Sequence, residues 1–170
     1  MNYIKIETDS IENGTGVRVV LWISGCTLYC PGCHNSEAWD FGYGKRFDDG
    51  AKQELFQKLS KPYIDGITLS GGHPLESNNI EDVYRLVYDI KKNFPEKTIW
   101  IYTGLSINFE DFKGDSLLSK ILCKADVIVD GMYYEPLRDI TLPFRGSSNQ
   151  RIIDVKKTLE YKKVIELSLD

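Results

Sequence analysis

The chain has 170 residues, 42% of them apolar and 12% aromatic, with a formal net charge of -4. That length is near the usual size of one domain and predicts a single domain over 1–170 with a sizeable core, not a disordered chain. Acids and bases are interspersed, so no basic face marks a nucleic-acid partner. No apolar run approaches the roughly 20 residues that cross a bilayer. The first residues, "MNYIKIETDSIENG", lack the basic start and apolar core of a signal peptide. The expectation is a cytoplasmic protein without a membrane or nucleic-acid partner.

The elements follow in chain order. Residues 2–8 alternate apolar and polar side chains and predict a strand, and Gly14 and Gly16 mark a turn after it. "VRVVLWIS", residues 17–24, is a β-branched run apolar on both faces, as in a buried parallel sheet. The spacing of Leu55, Phe56 and Leu59 predicts a helix over 48–60. A short strand over 67–70 ends in paired glycines. Residues 79–93 carry Ile80, Val83, Leu86, Val87 and Ile90 on one helical face. "TIWIYTG" predicts another buried strand, 116–124 a short helix, and "DVIVDG" a further strand. The tail from Ile152 adds one more element of unassigned type, amphipathic and solvated.

This rhythm of strand, loop and helix predicts an α/β fold with a parallel sheet. A complete β/α barrel takes at least ~200 residues. The expectation here is a partial, open parallel β/α barrel. Glycines close strand after strand (Gly25, Gly71–Gly72, Gly104, Gly131), and ligands of such folds bind at those C-terminal strand ends.

The segment "SGCTLYCPGCHNSEAW" holds three of the four cysteines. Cys26, Cys30 and Cys33 fall within one short loop, and thiolates suit zinc or iron–sulfur clusters. One reading is a zinc site on the three thiols and His34. Adjacent residues seldom share one tetrahedral ion, and structural zinc usually staples separated segments. A disulfide pair is a second reading, disfavoured in a reducing cytosol. The third is a [4Fe–4S] cluster on three thiolates, with one iron open to a small molecule. Cys123 lies in a helical pattern and is expected to be a buried thiol acting as a small apolar residue.

The Cx3Cx2C pattern directly after a strand resembles the radical S-adenosylmethionine (radical SAM) enzymes, and "SGGHPLES" resembles their glycine-rich loop. The stretches "NGTGVRVVLWISGCTLYCPGCHN", "WIYTG", "VDGMYYEPL" and "FRGSSNQRIID" narrow the likeness. They resemble the activating proteins of anaerobic (class III) ribonucleoside-triphosphate reductase. Asn13 to Asp154 is covered.

The resemblance implies a barrel of the radical SAM type with Cys26, Cys30 and Cys33 as ligands of a [4Fe–4S] cluster. It implies that the reduced cluster cleaves S-adenosylmethionine to methionine and a 5′-deoxyadenosyl radical. That radical would take a Cα hydrogen from a glycine of the reductase, the protein substrate. A flavodoxin-like electron donor is implied too. The enzyme class would be a radical SAM oxidoreductase activating a glycyl radical enzyme. The alternatives are an activase of another glycyl radical enzyme and a small iron–sulfur electron carrier.

By the same resemblance, Gly32, Cys33, His34, Gly71, Gly72, Thr103 and Asp130 border S-adenosylmethionine. His73 stands where the superfamily has an acid, and Met132 where a related activase has a lysine. Arg18, Arg145 and Arg151 lie within the matching stretches and are candidates for carboxylate recognition.

Overall fold

The computed structural model describes residues 1–169. Its strands are β1 (Asn2–Ser10), β2 (Arg18–Ile23), β3 (Lys45–Arg46), β4 (Gly66–Gly71), β5 (Thr98–Tyr102), β6 (Val127–Asp130) and β7 (Arg151–Asp154). They form one open sheet in the order β3-β1-β2-β4-β5-β6-β7. The helices are α1 (Asp49–Leu59), α2 (Ile80–Asn93), α3 (Leu117–Leu122) and α4 (Val155–Tyr161). None of the described helices is long and apolar enough to cross a membrane.

The four strands β2, β4, β5 and β6 are parallel, as their apolar runs predict. The outer strands are not. β1 runs antiparallel to β2, and β7 antiparallel to β6. The reason is the connection. Only residues 11–17 link β1 to β2, with Gly14 and Gly16 at positive φ, too short a path for a parallel crossover. The segment between β6 and β7 contains only a short 3-10 turn, Glu135–Leu137, and returns the chain on the adjacent edge.

Alternation along the strands divides the core into two layers. Val19, Leu21 and Ile23 of β2, with Ile67, Leu69, Ile99, Ile101, Ile128 and Ile153, face α1, α2 and α3 in one large cluster. Trp100, Val127, Val129 and Ile152 form the smaller cluster with half-buried Tyr102, Phe144 and Leu167.

Helix α1 buries Ala51, Leu55 and Leu59, and Phe56 packs edge-on against Phe94. Its N-cap Asp48 accepts the Ala51 amide at 2.9 Å. Helix α2 buries Val83, Leu86, Val87 and Ile90, with acids in its first turn and lysines in its last, matching its dipole.

The tail is less solvated than its sequence implies. After α4 it runs beside β7, where the Asp154 amide donates to Ile165 O and the Leu167 amide to Ile152 O.

Cys123 corrects an expectation. It caps α3 past its last turn and is exposed, its thiol 3.4 Å from Phe112 O.

Candidate iron–sulfur and cofactor site

The C-terminal ends of the four parallel strands converge on one cavity. Cys26, Cys30, Cys33 and His34 from the loop after β2 line it, opposite Gly71 at the end of β4 and Gly72 just after it. Thr103 and Gly104 after β5, and Gly131, Met132 and Tyr133 after β6, complete the wall with Gln150. All four cysteines are free thiols.

Among the described residues no three Cys, His, Asp or Glu side chains converge tightly enough for a single metal ion. Zinc would need thiolates within about 2.3 Å of one centre. A cubane spreads its ligands over separate irons. Three soft donors around one shared cavity fit that arrangement in donor type and number. Burial pushes the Cys26 thiol up, against a Leu28 backbone hydrogen bond, with Glu76 and the other two thiols adding to the rise. Burial also raises Cys30, with Cys33 adding to it. Both start as thiols at neutral pH, so metal binding must expel their protons.

The loop is held by backbone geometry that demands glycine. Gly32 sits at φ +73°, in the turn where the Cys33 amide donates to Cys30 O at 3.1 Å. A Cβ on Gly32 would lie 1.8 Å from Glu135 Oε2. Gly32 lines a neighbouring groove, shared with His34 and Arg145, not the cysteine cavity itself. A Cβ on Gly72 would lie 2.6 Å from Gly25 O and 2.7 Å from Ala38 O. What Gly72 approaches so closely is the base of the cysteine loop.

His73 does not line the cavity. Its side chain is buried behind the wall, with Nε2 2.7 Å from Thr103 Oγ1. Nδ1 lies 3.3 Å from Glu76 Oε1, an ion-pair distance off hydrogen-bond alignment. The carboxylate favours the proton on Nδ1, so Thr103 donates its hydroxyl to Nε2.

Burial holds His73 below the usual histidine range, although Glu76 opposes this. Burial pushes Glu76 up, but the hydrogen bonds from Thr27 and the nearby His73 ring outweigh it and hold the carboxyl low. The signs agree. A histidine harder to protonate when folded loses stability as pH falls below about 6.5. Glu76 adds stability above its unfolded value that is lost as pH falls through its folded one. The thermal midpoint of the cluster-free chain is therefore expected to fall between pH 7 and 5. A His73→Asn variant should flatten that slope, and calorimetry at stepped pH checks both.

Two predicted residues are engaged elsewhere. Asp130 is buried, but its carboxylate accepts both Arg151 Nε (3.0 Å) and Nη2, and also the Ile107 amide (2.8 Å). It braces the wall from behind and is not brought to the cavity surface, and Arg151 is spent on it. Arg18 is at the opposite end of the sheet, where it heads β2. It donates to Thr68 Oγ1, Thr15 O, Thr98 Oγ1, Ile67 O and Thr98 O, and packs over Trp100. Burial lowers it to about 10, with Asp126 and Asp65 resisting, so it stays charged at neutral pH. Carboxylate recognition by Arg18 is excluded by that position. Of the three arginines, Arg145 alone lines a groove beside His34.

The stretch "RGSSNQR" has a local reason. Gln150 accepts the amides of Gly146 (3.0 Å) and Ser147 (3.2 Å) and donates to Gly131 O at 3.0 Å. Asn149 donates to Met132 O at 2.8 Å. These side chains tie the loop before β7 to the wall after β6. Sequence reasoning missed Gln150, Tyr133 and Glu76, the last visible only as an acid three residues beyond His73.

A family model described as "4Fe-4S single cluster domain" matches residues 12–153, which makes the chain with these cysteine donors an iron–sulfur protein. Three curated relatives, each named anaerobic ribonucleoside-triphosphate reductase-activating protein, are similar over most of their length. The relative from Enterobacteria phage T4 is 43% identical, covering 89% of this chain and 93% of its own. That from Haemophilus influenzae is 38% identical, covering 89% and 97%. That from Escherichia coli K12 is 36% identical, covering 88% and 96%. The chain belongs to this family of reductase-activating proteins.

Proposed function

We propose that the chain, as one radical SAM domain over 1–170 with a partial barrel, activates an anaerobic ribonucleoside-triphosphate reductase in the cytoplasm. Cys26, Cys30 and Cys33 hold one [4Fe–4S] cluster, whose fourth iron is left for the methionine group of S-adenosylmethionine. The observation that carries this reading is the shared cavity of the three thiols with Gly71, Gly72 and Thr103. When bound and reduced by a flavodoxin-like donor, the cluster would supply the single electron for cleavage of S-adenosylmethionine to methionine and a 5′-deoxyadenosyl radical, the species that would take a Cα hydrogen from a glycine of the reductase.

The chain's own residues bind, orient and exclude. Gly71 and Gly72 present backbone to the methionine group. His34 and the Gly32 turn border the adenosine. Thr103 offers its oxygen at the wall, while Asp130 braces the wall indirectly. Wall residues after β6 keep water and stray hydrogen donors from the radical. A groove of about 550 Å³ along Pro31, Met132, Tyr134 and Pro136 adjoins the cavity and receives the reductase. Tyr134→Asp, at a groove residue that does not line the cysteine cavity, is expected to weaken reductase activation at least about tenfold while sparing reductase-independent cofactor cleavage, since interface aromatics carry much of the binding energy. Glycyl-radical yield against 5′-deoxyadenosine yield checks this.

The test is anaerobic reconstitution with iron and sulfide, reduction, and addition of S-adenosylmethionine. Formation of 5′-deoxyadenosine, then a glycine-centred electron paramagnetic resonance signal on adding the reductase, is the expected result. A cluster indifferent to S-adenosylmethionine would overturn the reading in favour of an electron carrier. Zinc uptake without iron would overturn it in favour of a structural metal.

A further inference from the structure

We propose that Glu76, backed by His73, is the positioning residue of the cysteine loop and pre-forms the ligand arrangement before metal arrives. The inference rests on the cluster ligation proposed above. Glu76 is 9% exposed, yet its Oε1 accepts two hydrogen bonds from Thr27, from the amide at 2.8 Å and the hydroxyl at 2.7 Å. Thr27 follows Cys26 directly and begins the three-residue spacer before Cys30. One carboxylate therefore fixes both the backbone and the side chain of the residue beside the first ligand.

The clamp continues inward. His73 faces the same oxygen and reaches Thr103 Oγ1, whose oxygen also accepts the Leu105 amide at 3.1 Å. A row of polar groups thus joins the cysteine loop, the end of β4 and the end of β5. Other hydrogen bonds fix the base of the loop and Cys26, whose amide donates to Trp39 O at 3.2 Å. Gly72 N donates to Ile23 O at 2.7 Å, His73 N to Gly25 O at 2.9 Å, and Asn79 Nδ2 to Ser24 O at 2.9 Å. Beyond Cys26 the spacer is tied to the loop after β4 through Glu76. Where the resemblance places an acid at 73, this chain has a histidine, and a carboxylate three residues on holds the loop. Pre-organising a ligand set spares its ordering cost on binding.

The test compares wild type with Glu76→Ala, Thr27→Val and Thr27→Ser. Amide hydrogen exchange at Thr27 is read in the cluster-free chain, and iron release to a chelator in the reconstituted chain. A hydrogen bond to a charged acceptor predicts about tenfold faster Thr27 exchange and iron release in Glu76→Ala, with β4 and β5 amides unchanged. Thr27→Val should fall between, and Thr27→Ser, which keeps the hydroxyl, should match wild type.

Unchanged Thr27 exchange in Glu76→Ala overturns the clamp. So does loss of protection throughout β4 and β5, which would make Glu76 a general structural residue. Thr27 is exposed, so its two variants test the same bond from the loop side without opening the core. Equal exchange and iron release in Thr27→Val and Thr27→Ser would also overturn it. If wild type takes up no iron, the ligation reading fails, while the exchange arm still decides the clamp.

Discussion

Replacing Cys30 by alanine is expected to reduce bound iron from about four atoms per chain to background. Formation of 5′-deoxyadenosine should vanish with it. Two thiolates remain, Cys26 and Cys33, and neither has a substitute within reach. Cys123 caps α3, and the cavity is lined by no other cysteine. His34 also lines the cavity, but it neighbours Cys33 in sequence. A cubane on two protein ligands would be open at two irons and prone to loss. Folding should survive, because Cys30 belongs to a loop and not to either apolar cluster. Iron and sulfide analysis, with circular dichroism as the folding control, is the measurement. A variant that keeps iron and cleavage would refute three-thiolate ligation.

The second large effect concerns Arg18, and it is on stability. Arg18 is wholly buried at the far end of the sheet from the cysteines. Its guanidinium satisfies three backbone carbonyls and two threonine hydroxyls at the start of β2, β4 and β5. Removing it strands two buried acceptors, Thr68 Oγ1 and Ile67 O, and three part-buried ones. An Arg18→Met variant is expected to lose roughly 3–5 kcal/mol of stability, as for other broken buried networks. For a chain of this length that lowers the thermal midpoint by about 10 °C or more. Arg18→Lys should rescue little, since an ammonium has three donors and cannot span the same fork. Thermal unfolding of the cluster-free chain separates this from a ligand role. An unchanged midpoint combined with weakened S-adenosylmethionine binding would return Arg18 to the site.

The parallel strands were legible because β-branched runs buried on both faces leave little else for "VRVVLWIS" or "DVIVDG" to become. Helix positions were legible from the apolar stripe. α1, expected over 48–60, occupies Asp49–Leu59. Strand direction at the edges was not, because alternation is the same read either way along a strand. Strand β3, of two exposed residues, leaves no signal at all.

The cysteine loop stood out as a local pattern. Asp130 misled because its partner is 21 residues away and meets it through the β6–β7 register. Arg18 misled because membership in a motif marks a residue without saying which end of the sheet it serves. The tie from Glu76 to Thr27 spans 49 residues and depends on two loops meeting in space.

An open sheet has two rims, and each rim is a template on which another chain's strand can hydrogen-bond. One rim here ends in Lys45 and Arg46, two exposed cations on the shortest strand. The other would be β7, but the tail lies along it, with a further bridge between Ile153 and Glu166. The sheet thus resists stacking with its own copies by charge on one side and by cover on the other. Deleting the residues after Tyr161 should therefore promote aggregation, even though the cysteine cavity would keep every residue that lines it.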